Sequence, residues 1–270
     1  MPDINVGVDA IYGVDQVPLG TAKLALRTGV DGAVCKHLAM EDEEIRKAAQ
    51  RFIQHSKALL VDRFAASSTH KPDDFPVSVF MAGSPGAGKT EVSIELVKQF
   101  MSPAVRIDAD EIRKLCDGYT GENAHLFQSA ASIGVETLYN YCLDQRLNMV
   151  VDGTFAHQKT TANIEKSLTR GRKVIIYFVY QDPIVAWDFT KKRERVEERR
   201  VTKETFIRGY FLSRANVNAA KAQFGNRIEL NLLVKNLTND NVSAIHGNIQ
   251  SVDLYLEKLY TEDEIKRVIL

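Results

Sequence analysis

The chain has 270 residues, of which 44% are hydrophobic and 26% are charged, as in an ordinary soluble globular protein. This length suits one large α/β domain with an added segment, or two small domains, and it can bury a core without disulfides or metals. Lys and Arg total 35 and Asp and Glu total 35, so the net charge is zero. Nothing in the charge balance therefore points to nucleic acid or an anionic membrane as a partner.

The cysteines and the apolar runs indicate the cellular compartment. Cys35, Cys116 and Cys142 are far apart and lack metal-ligand spacing, which favours buried thiols in a reducing compartment over a disulfide framework or a zinc site. The first residues include acids and lack a basic start before an apolar run, so they are not typical of a secretory signal. The longest apolar run, Val174–Tyr180, is too short to span a bilayer. We therefore expect a cytoplasmic protein with no membrane partner.

The N-terminal part of the chain is predicted to be mostly helical. Residues 1–40 show no clear period, whereas residues 41–64 have apolar side chains at roughly helical spacing and predict one long amphipathic helix. These side chains are Ile45, Ala49, Phe52, Leu59 and Phe64. A polar, proline-containing loop over residues 67–74 follows. We expect a domain boundary here, with a helical segment over residues 1–72 and a second domain over residues 73–270.

Short apolar strands alternate with helical patterns in the rest of the chain. The predicted strands are Val77–Ala82, Val105–Asp108, Met149–Asp152, Val174–Tyr180 and Ile228–Val234. A terminal helix is predicted over Val252–Arg267. Strands separated by helices predict an α/β fold with a five-stranded parallel sheet and right-handed crossovers.

The segment after the first predicted strand matches the phosphate-binding (Walker A) pattern G-x-x-x-x-G-K-[ST]. It consists of Gly83, Ser84, Pro85, Gly86, Ala87, Gly88, Lys89 and Thr90. Small residues allow backbone N–H groups to surround a phosphate at the start of a helix. In this pattern Lys89 bridges the outer phosphates and Thr90 supplies a hydroxyl to Mg²⁺. The segment predicts binding of nucleotide phosphate and Mg²⁺ without identifying the activity.

Acidic residues follow the second and third predicted strands, at the sheet edge where parallel sheets bind ligands. Asp108 and Asp110 stand in RIDADEIRK, and a carboxylate there could accept a proton from an attacking hydroxyl. One of the two could instead cap the next helix, but both cannot. Asp152 could hold Mg²⁺ through water or orient the phosphate loop. The alternative for Asp152 is a turn residue before Gly153.

Basic residues are concentrated after the fourth predicted strand, over residues 191–200 (KKRERVEERR). Arg193 and Arg200 are seven apart and share a face if the helix is continuous. Arginines on a mobile segment can clamp a phosphoryl group during its transfer. Each could equally form Glu/Arg pairs on a solvated helix. Because a phosphate loop is present, we expect at least one arginine to reach the phosphates.

Together these motifs resemble the zeta toxin family of P-loop kinases over roughly Phe75–Leu237, in GSPGAGKT, IDADEIRK, VVDGTF and AWDFTKKRERVEERRVTKE. The resemblance implies an adenylate-kinase-like core, with Mg-ATP as donor and the 3′-hydroxyl of UDP-N-acetylglucosamine as acceptor. It implies that Asp110 is the general base and Lys89 the phosphate-loop lysine. It also implies that Arg193 and Arg200 are the arginines that clamp the phosphates.

The resemblance extends to substrate contacts, where this sequence also departs from the family. Glu136 falls where a substrate-binding glutamate is expected, and Asp108 and Thr154 are further candidates for substrate binding. The family often has an arginine soon after the Gly-Thr that follows the third strand. Here residues 155–157 read Phe-Ala-His. The motifs therefore indicate the type of reaction more specifically than the identity of the acceptor.

Members of this family are normally held inactive by a small helical antitoxin that blocks the ATP site, and some single-chain relatives carry an inhibitory region of their own. Residues 1–72 lie outside the matching motifs. The resemblance therefore implies an antitoxin, either in cis within residues 1–72 or as a separate chain. The alternative is that the N-terminal helix only packs on the kinase core.

Other functions of a P-loop protein are less consistent with these residues. A GTPase should show N-K-x-D after a late strand, but residues 234–237 read VKNL. A non-catalytic ATP-binding regulatory module needs no base such as Asp110. A nucleic-acid end kinase is disfavoured by the zero net charge. A small-molecule or antibiotic kinase of the same fold shares most of the motifs and stays an alternative.

Overall fold

The computed structural model of the protein describes residues 32–157, 159–236 and 242–269. Their strands are β1 (Val77–Ala82), β2 (Val105–Asp108), β3 (Met149–Asp152), β4 (Lys173–Tyr180), β5 (Ile228–Lys235) and β6 (Val242–His246). The α-helices are α1 (Gly32–His55), α2 (Lys57–Ala65), α3 (Lys89–Lys98), α4 (Ala109–Arg113), α5 (Gln128–Asp144), α6 (Lys159–Thr169), α7 (Pro183–Glu197), α8 (Lys203–Phe224) and α9 (Glu262–Val268). Short 3-10 turns cover Ala124–Phe127, Gly225–Arg227 and Val252–Tyr255.

The strands form one sheet in the order β2-β3-β1-β4-β5-β6. The first five strands run parallel, which confirms the predicted α/β fold with a parallel sheet flanked by helices. Alternate residues of β1 enter two different core clusters. Phe80 and Ala82 pack in one, and Val79 and Met81 pack in the other. Both faces of β1 are therefore covered, which is why its sequence is a continuous apolar run.

The prediction of five strands was wrong, because the described residues contain a sixth. Strand β6 pairs antiparallel with β5 at the edge of the sheet, with Leu233 opposite Ile245. Three of its five residues are exposed. A short edge strand with a solvated face gives little hydrophobic periodicity, so the sequence pattern did not reveal it.

The C-terminal helix is shorter than predicted. The 3-10 turn Val252–Tyr255 and helix α9 replace the single helix expected over Val252–Arg267. Thr261 starts α9 through a capping box, in which its hydroxyl accepts from the N–H of Glu264 and the Glu264 carboxylate accepts from the N–H of Thr261. The reciprocal bonds satisfy two backbone donors at the helix start. Helix α9 therefore begins at Glu262.

Two helices replace the single one predicted over residues 41–64. Helix α1 ends at His55 and α2 begins at Lys57, with Ser56 between them. The Ser56 hydroxyl donates to the carbonyl of Phe52 at 2.6 Å, and the Ser56 N–H donates to the carbonyl of Ile53 at 3.1 Å. This bond to the third preceding residue tightens the turn and interrupts the α-helical pattern.

The buried face of α1 and α2 includes Ala49, which the sequence pattern singled out, but otherwise consists of different residues. Ile45, Phe52 and Leu59 are 39–44% exposed. The buried side chains are Ala49, Ile53, Leu60 and Ala65, which join the main core cluster beside residues of α5. The described N-terminal helices are thus part of the core of the kinase-like domain.

Three features of the described residues bear on the predicted class of protein. Cys116 and Cys142 are free and buried, while the side chain of Cys35 lies outside the described part of the chain. Within the described ranges, no helix combines the length and apolar character needed to cross a bilayer. Nor do those ranges contain a cluster of three or more His, Cys, Asp or Glu side chains arranged to hold a metal.

Adjacent substitutions on α1 should distinguish its buried face from its exposed face. Ile53 is fully buried, so we expect Ile53→Ala to lower the free energy of unfolding by about 2–4 kcal/mol. Phe52 is 40% exposed, and Phe52→Ala should lower it by no more than about 1 kcal/mol. Urea denaturation of both variants measures the difference. Equal losses would mean that the two faces of α1 are not divided as described.

Candidate active site

The phosphate loop, residues 83–90, lies at the carboxyl end of β1. This strand has β3 on one side and β4 on the other, so the chain connections diverge here and leave a crevice. Gly83 and Gly86 have φ of +138° and +73°. A Cβ on Gly83 would lie 2.3 Å from the carbonyl oxygen of Val179, and one on Gly86 would lie 2.1 Å from that of Ala186. Only glycine permits both the backbone conformation and the close approach.

Lys89 stands at the start of α3 and faces back into the loop, where its Nζ donates to the carbonyl oxygen of Ser84 at 2.7 Å. Burial lowers the pKa of Lys89 to about 8; the Asp152 carboxylate opposes this shift, and the charges of Arg193 and Arg199 add to it. A bound anion should therefore stabilise the charged ammonium group, because the negative charge of a phosphate would offset the loss of hydration.

Asp108 acts as the cap of α4. Its Oδ1 accepts from the backbone N–H of Asp110 at 2.8 Å. The sequence left open whether Asp108 or Asp110 caps this helix, and in the structure the cap is Asp108. Burial, together with the charges of Asp110 and Asp152, raises the pKa of Asp108 despite the nearby Arg106.

Arg106 bridges the two carboxylates at the ends of β2 and β3. Its Nη2 lies 2.6 Å from Oδ2 of Asp108 and 2.6 Å from Oδ2 of Asp152. Its Nε donates to the hydroxyl of Ser93 at 2.8 Å, and this hydroxyl donates to Asp152 at 2.7 Å. Sequence analysis missed this arginine. Its position two residues before Asp108 could have indicated the interaction, because side chains two residues apart lie on the same face of a strand.

Asp110 accepts hydrogen bonds from three arginines. Arg113 on α4 and Arg199 after α7 contact its two carboxylate oxygens, and Arg193 on α7 lies 3.4 Å from Oδ2. Burial alone would raise the pKa of Asp110, but Arg199, Arg113 and Arg193 hold it below its usual range. The carboxylate is therefore ionised and surrounded by cations at neutral pH.

The structure places Arg199 where the sequence pattern led us to expect Arg200. Helix α7 ends at Glu197, and Glu198 adopts left-handed backbone geometry with φ of +57°. The spacing of seven residues therefore no longer puts Arg193 and Arg200 on one face. The Arg200 side chain is 75% exposed and its Nε lies 3.9 Å from Glu194. Sequence analysis missed Arg199 because the position of the helix end was not predicted.

A cavity of about 550 Å³ brings most of the predicted site residues together. Its lining includes Lys89, Thr90, Asp108, Asp110, Asp152, Thr154 and Arg193. Glu136 is not among them, since its side chain is 47% exposed on α5, with an oxygen 4.0 Å from Nζ of Lys166. The predicted substrate role of Glu136 stays a prediction, and the geometry does not support it.

The cavity is also lined by polar residues that the sequence did not single out: His157, Lys159, Thr160, Asn163 and Arg208. Burial lowers the pKa of His157 to about 4, with Lys159 and Arg208 adding to the effect. His157 is therefore neutral at physiological pH. Lys159 and Arg208 add positive charge to the lining.

Thr90 and Asp152 both line the cavity beside the phosphate loop. One oxygen of Asp152, Oδ2, accepts from Ser93 and Arg106. In the described part of the chain, no protein donor is bonded to the other oxygen or to the Thr90 hydroxyl. Hydroxyl and carboxylate oxygens are the ligands that Mg²⁺ prefers, so these residues fit the predicted metal role.

Removal of the bridging arginine should expose the repulsion between the two strand-end carboxylates. We expect Arg106→Gln to lower the free energy of unfolding by about 3 kcal/mol at pH 7, because two buried carboxylates lose their shared cation. The variant's folded state should then bind protons more readily than its unfolded state, so the loss should shrink as the pH falls toward 5. Urea denaturation across this pH range measures it.

Lys98→Gln provides the control for this prediction, since Lys98 and Glu95 form an exposed ion pair. We expect that variant to lose less than about 1 kcal/mol at any pH in the range. An Arg106→Gln loss that does not change with pH would contradict the proposed repulsion.

Comparisons with known proteins agree with this architecture. A chain from the PezAT chromosomal toxin-antitoxin system of Streptococcus pneumoniae aligns with a TM-score of 0.60 at 14% identity, covering 83% of this chain and 94% of that one. A chain of the AvrRxo1-ORF1:-ORF2 complex with ATP aligns with a TM-score of 0.53 at 15% identity, covering 79% and 70%. Identities this low establish a shared fold only. A search of curated protein sequences gave no match.

A sequence model described as zeta toxin matches residues 61–249, which is more than half of the chain. The match includes the phosphate loop, the strand-end carboxylates and the arginines of α7. Together with the kinase-like sheet order, this match shows that the chain belongs to the zeta toxin family.

Proposed function

We propose that this chain is a phosphotransferase that moves the γ-phosphate of Mg-ATP to a hydroxyl of a nucleotide sugar, with the 3′-hydroxyl of UDP-N-acetylglucosamine as the first candidate. One observation carries the proposal. A partly buried carboxylate, Asp110, faces the same cavity as the phosphate loop and is held there by Arg193 and Arg199. A base, a phosphate cradle and cations in one cavity are the components that phosphoryl transfer requires.

The donor would lie along the phosphate loop, with its outer phosphates beside Lys89. Arg193 and Arg199 line the same cavity and pair with Asp110 when no phosphate is present. A triphosphate offers these arginines more negative charge than one carboxylate does. We therefore propose that Arg193 and Arg199, rather than Arg193 and Arg200, stabilise the charge that develops on the transferred group.

Asp110 would then be free to act on the acceptor. The acceptor hydroxyl gives its proton to the Asp110 carboxylate while its oxygen bonds to the γ-phosphorus. The bond from that phosphorus to the bridging oxygen breaks, and ADP leaves with the electron pair. A base with a lowered pKa suffices for this step, because phosphoryl transfer has a loose transition state that needs little proton removal before the bond forms.

Mg²⁺ would be held by the hydroxyl of Thr90 and, directly or through water, by Asp152. When bound, the ion neutralises charge on the phosphates during transfer. Arg106 holds the Asp152 carboxylate through an ion pair and is not itself among the residues that line the cavity.

The proposed acceptor class follows from the charges of the lining. Lys159 and Arg208 line the cavity, and His157, which also lines it, is neutral. Two cations suit an acceptor that carries its own phosphates, such as a nucleotide sugar. They disfavour polycationic aminoglycosides. A neutral alcohol remains the alternative acceptor, in which case the chain is a small-molecule or antibiotic kinase of the same fold.

Regulation by an antitoxin is also part of the proposal. The PezAT structure belongs to a toxin-antitoxin system, and the sequence predicted an antitoxin either in cis within residues 1–72 or as a separate chain. Among the described side chains of residues 41–72, none lines the cavity, and several complete the core instead. This geometry favours a separate antitoxin chain.

The reaction is tested by incubating the purified protein with γ-labelled Mg-ATP and a panel of UDP-sugars, nucleosides, chloramphenicol and aminoglycosides. We expect label on UDP-N-acetylglucosamine or another UDP-sugar. Asp110→Asn should lower kcat by at least about 100-fold, while ATP binds as tightly as before or more tightly. Transfer that survives in this variant would overturn the assignment of the base. Labelling of a neutral alcohol alone would support kinase activity but rule out a nucleotide sugar as the acceptor.

Glu111→Gln is the matched control, because Glu111 is the neighbouring carboxylate and forms an exposed pair with Lys114. We expect kcat and ATP affinity to stay within about twofold of the unaltered protein. A large loss in this variant would indicate that α4 tolerates no substitution, and the Asp110→Asn result would then not report on proton transfer.

The affinity for ATP should depend on the charge of Lys89. Burial lowers the pKa of Lys89 to about 8, so the positive charge of its ammonium group is lost as the pH rises through this value. Bound phosphates favour the charged form, and we therefore expect the Kd for ATP to rise up to about tenfold per pH unit above pH 8. Calorimetric titrations between pH 7 and 9.5 measure it.

Lys89→Arg is the control for the pH dependence, because a guanidinium stays charged throughout this range. The Kd of this variant for ATP will differ from that of the unaltered protein, but it should not change with pH in this range. An unaltered protein whose Kd for ATP is constant up to pH 9.5 would contradict the role of Lys89.

A further inference from the structure

Residues 260–269, here called the C-terminal brace, pack against the base of the helices that carry the cavity arginines. Ile265 and Ile269 are buried in a cluster with Trp187 of α7 and with Phe206 and Tyr210 of α8. The brace lies beyond residue 249, where the family match ends. It is therefore a feature of this chain that the family match does not account for.

The brace also holds the first turn of α7 through a hydrogen bond. Tyr260 donates its hydroxyl to Oδ2 of Asp182 at 2.6 Å. The other oxygen of Asp182 caps α7 by accepting from the N–H of Ile184 at 2.9 Å. A single carboxylate thus joins the brace to the start of the helix that bears Arg193.

The same helices touch the phosphate loop directly. The carbonyl oxygen of Ala186 on α7 lies against Gly86, and Gly209 on α8 lies against Pro85. Trp187 and Phe206 pack edge to face between the two helices, with ring centroids 5.2 Å apart. The brace, both helices and the loop therefore form one continuous packed unit.

The length of α7 makes its base important for Arg193. Arg193 is 11 residues beyond Asp182, or about 16 Å along a continuous helix. A tilt of roughly 10° at the base would shift Arg193 by roughly 3 Å, more than a hydrogen bond tolerates. Small changes in how the first turn is held are thus amplified at the cavity.

We propose that the C-terminal brace positions Arg193, and with it Arg199, for contact with the outermost phosphate of the nucleotide, with Tyr260 and Ile265 as positioning residues. This inference rests on the proposed function, because it assumes that the two arginines bind phosphate. The Tyr260 hydrogen bond of the brace holds the start of α7, and Arg193 lies on the same helix. Loss of the brace should therefore weaken contacts with the third phosphate more than contacts with the first two.

Measurements of nucleotide affinity test this proposal and need no acceptor substrate. Trp187 is the one tryptophan of the chain and lies in the braced cluster, so its fluorescence reports binding in the intact protein. We expect Tyr260→Phe to weaken Mg-ATP binding about fivefold and Ile265→Ala about tenfold. The Kd for Mg-ADP should change less than twofold in both. In an Arg193→Ala background, Tyr260→Phe should have no further effect on ATP binding.

Val252→Ala is the matched control, since Val252 is a fully buried aliphatic residue of the same C-terminal region that packs in the main core cluster instead. It should lower thermal stability without changing the ratio of ATP to ADP affinity. Equal losses of ATP and ADP affinity in the brace variants, or no loss in either, would overturn the inference while leaving the kinase intact. An unaltered protein that binds no ATP would overturn the proposed function itself.

Discussion

The close approach of the phosphate loop to its neighbours is the constraint from which the rest of the site follows. Gly83 lies against the backbone of β4, and Gly86 lies against the backbone of α7. A side chain at either position would push the loop off the sheet or α7 off the loop. Because the contacts are made between backbones, the loop, the end of β4 and the start of α7 hold fixed relative positions. Lys89 and Arg193 both line the cavity beside this arrangement.

Charges in the site are shared rather than paired one to one. Arg106 serves two carboxylates on neighbouring strands, and Asp110 serves three arginines from separate elements. The first arrangement is rigid, since Asp108 and Asp152 stand opposite each other in the register of β2 and β3. The second joins segments that are distant in sequence. The site therefore combines two strand-end carboxylates held by one arginine with three arginines gathered on one carboxylate.

The sequence could predict whatever depends on local spacing. The phosphate loop, Asp110 and five of the strands follow from patterns of a few residues, and the structure contains each of them. Arg199 could not be chosen over Arg200, because that choice depends on one left-handed residue, Glu198, after the end of α7. Arg106 was missed because its role arises from pairing between strands. Strand β6 was missed because an exposed edge strand has little periodicity.

The lining of the cavity has consequences for how ligands reach it. Six cationic side chains and four carboxylates line it, an excess of two positive charges. The chain as a whole has no net charge, so distant surfaces neither attract nor repel an approaching anion. Attraction is then confined to the mouth of the cavity, within about one Debye length of 8 Å at physiological ionic strength. The rate at which an anion arrives at this cavity should therefore depend little on salt, and the contacts it makes inside are screened less than contacts on the surface.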